Sequence, residues 1–295
     1  MVFIIFPLHF LAQLFTLIFW AGLIISLVPF KLLLPFTPIR RALNHFAAFC
    51  EGGYGVTSVF FIKLFNRPTW DYKLEGNPDK HHWYLLTSNH ISYLDIILIL
   101  NWAHKHIPAP KFFLKQELFW TPFVGQAAWA LEMPFMRRYS KAQIAKKPEL
   151  KGKDIETTRK YCERYKDTPT TVINFVEGTR FTEGKKILRN SPYQHLLPPR
   201  AGGISFAIAS MGELFSYTIE VTLQYPENTG HVMLDMLKGK LKHIIMHVKL
   251  VPVDKGLIGD YFNDPEFRQR FQETLNQNWE QKDQYIAEIL EKRGK

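Results

Sequence analysis

From Val2 to Phe30 the chain contains no Asp, Glu, Lys or Arg, and Leu, Ile, Phe and Val dominate. A bilayer-spanning helix needs about 20 predominantly apolar residues, so this run predicts a helix able to enter a membrane. It does not read as a cleaved secretory signal, because no positive region precedes it and no small-residue cleavage site follows it. A second apolar and aromatic stretch, Ala42 to Phe65, includes Phe46, Phe49, Phe60 and Phe61. It predicts a second helix that packs on the first or lies in the interface. A full span and a hairpin entering one leaflet both fit this pattern. Lys31, Arg40 and Arg41 follow the first run, which puts that side in the cytoplasm by the positive-inside rule.

After Asn66 the pattern shortens. "WDYKLEG" (70–76) alternates like a strand and ends at a glycine turn, and "HWYLLTSN" (82–89) is an apolar, aromatic run of strand length. Ser92 to about Ala103 predicts a helix with Ser92 as its cap. Further strands are predicted at "FFLKQ" (112–116), "MPFMRR" (133–138), "TTVINFVE" (170–177), "SYTIEVTLQY" (216–225) and "KHIIMHVKLVPV" (242–253). Helices are predicted around 154–166, 203–212 and 264–292, the last with Asp264 as cap and Pro265 at its first position. Strands alternating with helices imply an α/β fold, a mixed and largely parallel sheet covered by helices. The chain therefore divides into a membrane-anchoring helical segment, 1–65, and an α/β domain, 66–295.

Charge adds a direction to this outline. The net charge is +10, and residues 105–160 alone carry 12 Lys and Arg against 5 Asp and Glu. Such an excess favours anionic partners: nucleic acid, anionic lipid or phosphorylated small molecules. No helix-turn-helix, zinc module or aromatic stacking motif accompanies it, so nucleic acid is not the expected partner. Two cysteines, Cys50 and Cys162, are too few for a disulfide framework. His81/His82 and His104/His106 lack zinc-site spacing, so no metal is expected. "EGGYG" (51–55) lacks the Lys-Ser/Thr that completes a phosphate-binding loop.

Candidate chemistry begins at "SNHISYLDI" (88–96). On one helix His90 and Asp95 would point about 140° apart. They can meet only if His90 sits in the strand-to-helix turn and Asp95 in the first helical turn. Active groups in α/β folds gather in loops at strand ends. There a neutral imidazole can take a proton near pH 7 while a carboxylate fixes its tautomer. No G-x-S-x-G accompanies the pair, so the base is expected to activate a hydroxyl brought by a substrate. In "NFVEGTRF" (174–181) a strand ends at Glu177, Gly178 allows close backbone approach, and Thr179 and Arg180 offer a hydroxyl and a planar fork suited to phosphate. Lys115 and Arg138 are basic residues beside apolar runs. Taken singly, each motif is also compatible with a core histidine, a tight turn or a solvated surface charge.

H-x4-D, then F-x-x-R, then E-G-T-R, behind an apolar N-terminus, resembles the PlsC-type 1-acyl-sn-glycerol-3-phosphate acyltransferases. "FLKQELFWTPFVG", "MPFMRRYS", "GKDIETTR", "NFVEGTRFT" and "LLPPRAGG" look closest to the bacterial YihG-like branch. The proline-centred fourth block of many such enzymes is replaced here by "YTIEVTLQYP". The resemblance implies a membrane-bound O-acyltransferase moving an acyl chain from acyl-CoA or acyl carrier protein to a lysophospholipid hydroxyl. By residue matching His90 is the base and Asp95 its partner. Lys115, Arg138, Glu177, Gly178, Thr179 and Arg180 fall on substrate-binding positions. No cofactor is implied beyond the acyl donor. The partners implied are the two substrates, the bilayer and, as one form of the donor, acyl carrier protein. The location implied is the bacterial inner membrane with the catalytic domain in the cytoplasm. The competing readings are a non-catalytic lipid-binding or scaffold protein on the same fold and a remodelling acyltransferase for another lysophospholipid.

Overall fold

The structure, a computed structural model, describes residues 2–34, 36–136 and 162–294. The first apolar run forms helix α1 (Val2–Ser26), continued after Leu27 by the short α2 (Val28–Leu33). Together Val2–Leu33 is long and apolar enough to cross a membrane. Phe3, Ile4, Leu11 and Phe15 on it are each more than half exposed. Helix α3 (Thr37–Asn66) starts with Pro38 in its first turn and ends where Arg67 turns left-handed at φ 50°. It runs antiparallel to α1. The His9 ring stacks on Phe65 at 4.7 Å, Gln13 Nε2 donates to Ser58 O at 3.1 Å, and Trp20 Nε1 donates to Thr57 Oγ1 at 3.0 Å.

The glycines of "EGGYG" serve this packing. A Cβ on Gly53 would stand 2.5 Å from the Trp20 ring, and one on Gly55 would stand 2.6 Å from the backbone nitrogen of Asn101. Only glycine lets α3 lie that close to both neighbours.

Six strands build the main sheet: β1 (Thr69–Glu75), β2 (Trp83–Ser88), β3 (Pro110–Phe112), β6 (Thr171–Phe175), β7 (Phe215–Gln224) and β8 (His243–Pro252). Their order is β1-β8-β7-β2-β6-β3, and β7 with β8 is the antiparallel pair in an otherwise parallel arrangement. The expected mixed, largely parallel sheet is thus present. Central strands are apolar on both sides because both faces are covered. Leu86 and Ile173 face a core built with α1, α3 and α4 (Leu94–His106). Leu85 and Val172, one residue away and so on the other face, join a second core. Helices later in the chain fill that second core with Ile204, Ile208, Phe271 and Trp279.

The remaining elements are β4 (Leu114–Lys115), a 3-10 turn (Gln116–Trp120), α5 (Val124–Ala130) and β5 (Phe135–Met136). Then come α6 (Glu183–Leu188), α7 (Ala201–Met211), α8 (Val232–Leu237) and α9 (Pro265–Gly294). "FFLKQ" is not one strand. It breaks at Phe113, so that β3 extends the main sheet while Leu114 N–H donates to Pro134 O and β4 pairs with β5 in a separate two-stranded sheet. The helix expected near 154–166 lies outside the described residues except at 162–166, where 162–165 are helical and Lys166 is in a turn. Asp264 caps α9 as expected, its Oδ1 accepting the N–H groups of Glu266 and Phe267 at 2.9 and 3.0 Å. Helix α4 starts two residues later than Ser92, and Ser92 Oγ accepts only the Leu94 N–H, at 3.3 Å.

Candidate active site

Strands β2 and β6 are parallel neighbours, with Ser88 opposite Phe175. The two motif loops therefore leave the same edge of the sheet side by side. Backbone bonds fix them there: Val176 N–H donates to Ser88 O at 3.2 Å and Phe181 N–H to His90 O at 2.6 Å.

His90 occupies the turn between β2 and α4, and Asp95 lies in the first turn of α4. His90 Nδ1 is 2.8 Å from Asp95 Oδ2. That oxygen also accepts the N–H groups of Ile91 at 2.6 Å and Ser92 at 2.9 Å, and Oδ1 accepts the Tyr225 hydroxyl at 2.6 Å. Asp95 is fully buried. A carboxylate ringed by donors accepts from Nδ1 as well, so the imidazole proton sits on Nδ1 and Nε2 is free to accept. The ring is held from one side by Phe175, stacked at 4.0 Å. Beside the pair, Asn89 pins β7 by a reciprocal pair, Nδ2 to Leu223 O and Leu223 N–H to Oδ1.

Glu177 stands where the substrate-binding expectation does not put it. It is fully buried, and both carboxylate oxygens are taken by backbone: Oε1 by His90 N–H at 2.9 Å and Oε2 by Leu197 N–H at 3.0 Å. Burial pushes its carboxyl up to about 8, against the pull of those two donors. In this geometry it braces the His90 turn. Gly178 has φ +65°, a left-handed backbone that favours glycine, and a Cβ there would meet Arg200 Cδ at 3.3 Å.

Arg180 is exposed, its guanidinium 4.0 Å from the Tyr93 ring centroid. Thr179 Oγ1 accepts from Lys185 Nζ at 2.9 Å, as does Arg180 O. Burial, then the charges of Arg180, Arg189 and Lys115, hold the Lys185 amine below its ordinary value. The cations thus share one neighbourhood, and Lys115 belongs to it although it comes from β4. Among the described residues neither Arg180 nor Lys115 has a carboxylate partner. Arg138 lies outside the described residues. Tyr225, Lys185 and Arg189 were not foreseen. Tyr225 follows β7, which pairs with β2 in parallel, so knowledge of that pairing alone would have pointed to it. Cys50 and Cys162 are fully buried, and burial pushes the Cys162 thiol up to about 12. No group of His, Cys, Asp and Glu suited to a metal occurs among the described residues.

A family model named acyltransferase matches residues 71–223, just over half of the chain, and takes in the His90–Asp95 pair and the Glu177–Arg180 loop. The chain belongs to the acyltransferase family. Among curated proteins, the chain is 28% identical over 152 residues to the 1-acyl-sn-glycerol-3-phosphate acyltransferase delta of Homo sapiens, covering 49% of this chain and 38% of that one. The chain thus spans about two fifths of that relative's length. An uncharacterized acyltransferase of Schizosaccharomyces pombe is 24% identical over 291 residues, covering 85% of this chain and 77% of its own. The crystal structure of the 1-acyl-sn-glycerophosphate acyltransferase PlsC from Thermotoga maritima superposes with a TM-score of 0.56 at 17% identity. The match covers 97% of this chain and 98% of that one, which shows the fold.

Proposed function

We propose that this protein transfers an acyl chain from a thioester, acyl-CoA or acyl carrier protein, to the free hydroxyl of a lysophospholipid. The acceptor we favour is 1-acylglycerol-3-phosphate, giving phosphatidic acid. The observation that carries this is the His90–Asp95 pair, with Nε2 left to accept, near cations of which Arg180 and Lys115 have no carboxylate partner among the described residues. His90 Nε2 takes the acceptor's hydroxyl proton as the oxygen attacks the thioester carbonyl carbon. The C–S bond then breaks, and the proton passes to the departing thiolate. Asp95 stabilises the imidazolium formed in between. No cysteine acyl-enzyme is required, in keeping with a buried Cys162 thiol. Arg180, with Lys185, Lys115 and Arg138, holds the acceptor phosphate. The activity for which the human relative and the Thermotoga maritima protein are named supports the acceptor class, and the motif set favours the YihG-like branch.

Both substrates carry long acyl chains, and α1 offers the apolar length to keep the enzyme at a bilayer. Lys31, Arg40 and Arg41 after the apolar run favour a cytoplasmic catalytic domain at a bacterial inner membrane. Kinetics on lysophosphatidate against a neutral monoacylglycerol test the phosphate assignment. A charge-assisted contact contributes about 1.5–3 kcal/mol, so Arg180→Ala should weaken use of the phosphorylated acceptor roughly 10- to 100-fold and leave the neutral one nearly unchanged. Arg180→Lys should fall between, because it keeps the charge and loses the fork. Equal losses on both acceptors would remove Arg180 from acceptor recognition.

A further inference from the structure

Helix α7 begins without a side-chain cap. Arg200 occupies the cap position, where a guanidinium has no lone pair to offer. The N–H groups of Ala201, Gly202 and Gly203 therefore have no partner within the helix, and they give that end a partial positive charge.

Two guanidiniums add to it. Arg200 is exposed, and its Cδ lies 3.3 Å from where a Cβ of Gly178 would stand. Arg189 directly follows α6, is half-buried, and donates through Nη1 to Glu177 O at 3.3 Å. Burial and then the charge of Arg200 pull the Arg189 guanidinium below its ordinary value. Glu177, the acid whose charge reaches Arg189, already has both carboxylate oxygens on backbone N–H groups. Among the described residues neither arginine has a carboxylate partner. Two cations held together at a positive helix end repel each other unless an anion lies between them.

A buried side chain points to the same missing group. Asn174 of β6 is 7% exposed, and its amide makes no hydrogen bond among the described residues. Buried amides are ordinarily paired. Its Nδ2 stands 2.5 Å from where a Cβ of Gly203 would lie, so the free donor faces the first turn of α7. Gly202 beside it is exposed, with open space where a Cβ would point. Helix amides, a carboxamide N–H and two guanidiniums are together the donors that a phosphate takes up.

The position of this group decides which phosphate. Arg180 lies on Tyr93, in the His90 turn, and the proposed chemistry gives it to the acceptor. Arg189 and Arg200 gather earlier on the same loop, at the Glu177 carbonyl and Gly178, and Arg200 N–H donates to Val176 O at 2.8 Å. The second substrate is phosphorylated too. Coenzyme A and acyl carrier protein both present their thioester on a phosphopantetheine arm, whose phosphate is at the far end from the sulfur.

We propose that the N-terminus of α7, with Arg189 and Arg200, holds the phosphate of the donor's phosphopantetheine arm. This rests on the acyl-transfer reading.

Wild type, Arg200→Gln and Gly202→Asp are compared as full chains in phosphatidylcholine vesicles. Gly202→Asp places a carboxylate where the phosphate would sit. It should melt no lower than wild type, because it replaces a helix glycine and suits the first turn. Coenzyme A binding is measured by titration calorimetry, and KM is measured separately for acyl-CoA, acyl carrier protein donor and lysophosphatidate. In both variants coenzyme A affinity should fall and donor KM rise roughly 10-fold or more, with the lysophosphatidate KM nearly unchanged. A rise with both donors assigns the site to the phosphate they share, and a rise with acyl-CoA alone to the phosphates of coenzyme A. Weakened coenzyme A binding in the variants, with no turnover by wild type, would support the site and remove the transfer reading. Wild-type turnover with donor KM and coenzyme A affinity unchanged in both variants would overturn the site and leave transfer intact. A rise in the lysophosphatidate KM alone would hand the site to the acceptor and also overturn the proposal. A wild type that neither binds coenzyme A nor uses either donor would overturn both.

Discussion

Asp95 accepts four hydrogen bonds, and the one from Tyr225 comes from a residue 130 positions away. Burial and the neighbouring carboxylate hold the Tyr225 hydroxyl well above its ordinary value, so it remains a donor across the working pH range. Tyr225→Phe removes one donor from a buried carboxylate while leaving the three others. A hydrogen bond to a charged group is worth about 1.5–3 kcal/mol. The variant should therefore lose stability of that order in thermal melts and also turn over more slowly than wild type. Its rate should remain above that of Asp95→Asn, which changes the acceptor of Nδ1 itself. An unchanged rate together with an unchanged melting temperature would show that Tyr225 does not support the pair.

At the scale of elements, the position of α4 decides where Asp95 sits, and α4 is set by how closely α3 approaches it. Gly55→Ala puts a Cβ 2.6 Å from the Asn101 nitrogen, which is helix backbone and cannot swing away. Overpacking of this kind costs about 1–3 kcal/mol, and the strain falls on the helix that carries Asp95. A lower melting temperature with a reduced rate is expected, whereas Gly184→Ala, with open space around it, should change neither. Much of this level was legible in the sequence. Alternation announced β1, short apolar runs announced β2, β6, β7 and β8, and Asp264-Pro265 announced α9, because those signals are local. The short α5, α6 and α8 were not foreseen, since helices of six or seven residues carry too few turns to show a period. The break at Phe113 was hidden because it depends on the Pro134 carbonyl twenty-one residues later. Motif spacing identified His90, Asp95, Gly178 and Arg180 as a group. The bracing role of Glu177 and the proximity of Lys185 to Lys115 are products of tertiary contact, which no spacing encodes.

Across the whole molecule, the site is backed by the sheet face that α9 covers. There a cavity of ≈320 Å³ is lined by Thr87, Glu220, Thr222, Trp279 and Lys282. Lys282 Nζ donates to Val221 O at 2.6 Å, and burial lowers its amine to about 8 although Glu220 and Glu177 pull it upward. Between pH 8 and the ordinary lysine value of 10.5, the unfolded chain holds a proton that the folded chain has released. Stability from this residue therefore rises with pH across that window. Lys282→Met removes the dependence, so the melting-temperature difference should move in favour of wild type as pH rises, equivalent to about 1–3 kcal/mol. A difference that stays constant with pH would mean that Lys282 keeps its charge in the fold without cost. The central claim is that the His90–Asp95 pair performs acyl transfer to a lysophospholipid hydroxyl, and purified wild type and His90→Ala in vesicles test it directly. Each is supplied with lysophosphatidate and acyl-CoA or acyl carrier protein donors, and the product is identified by mass spectrometry. The account predicts phosphatidic acid from wild type and a rate lower by about 10²–10⁴-fold for the variant at an equal melting temperature. Equal rates in the two proteins, or no acylated product from wild type with either donor, would contradict it.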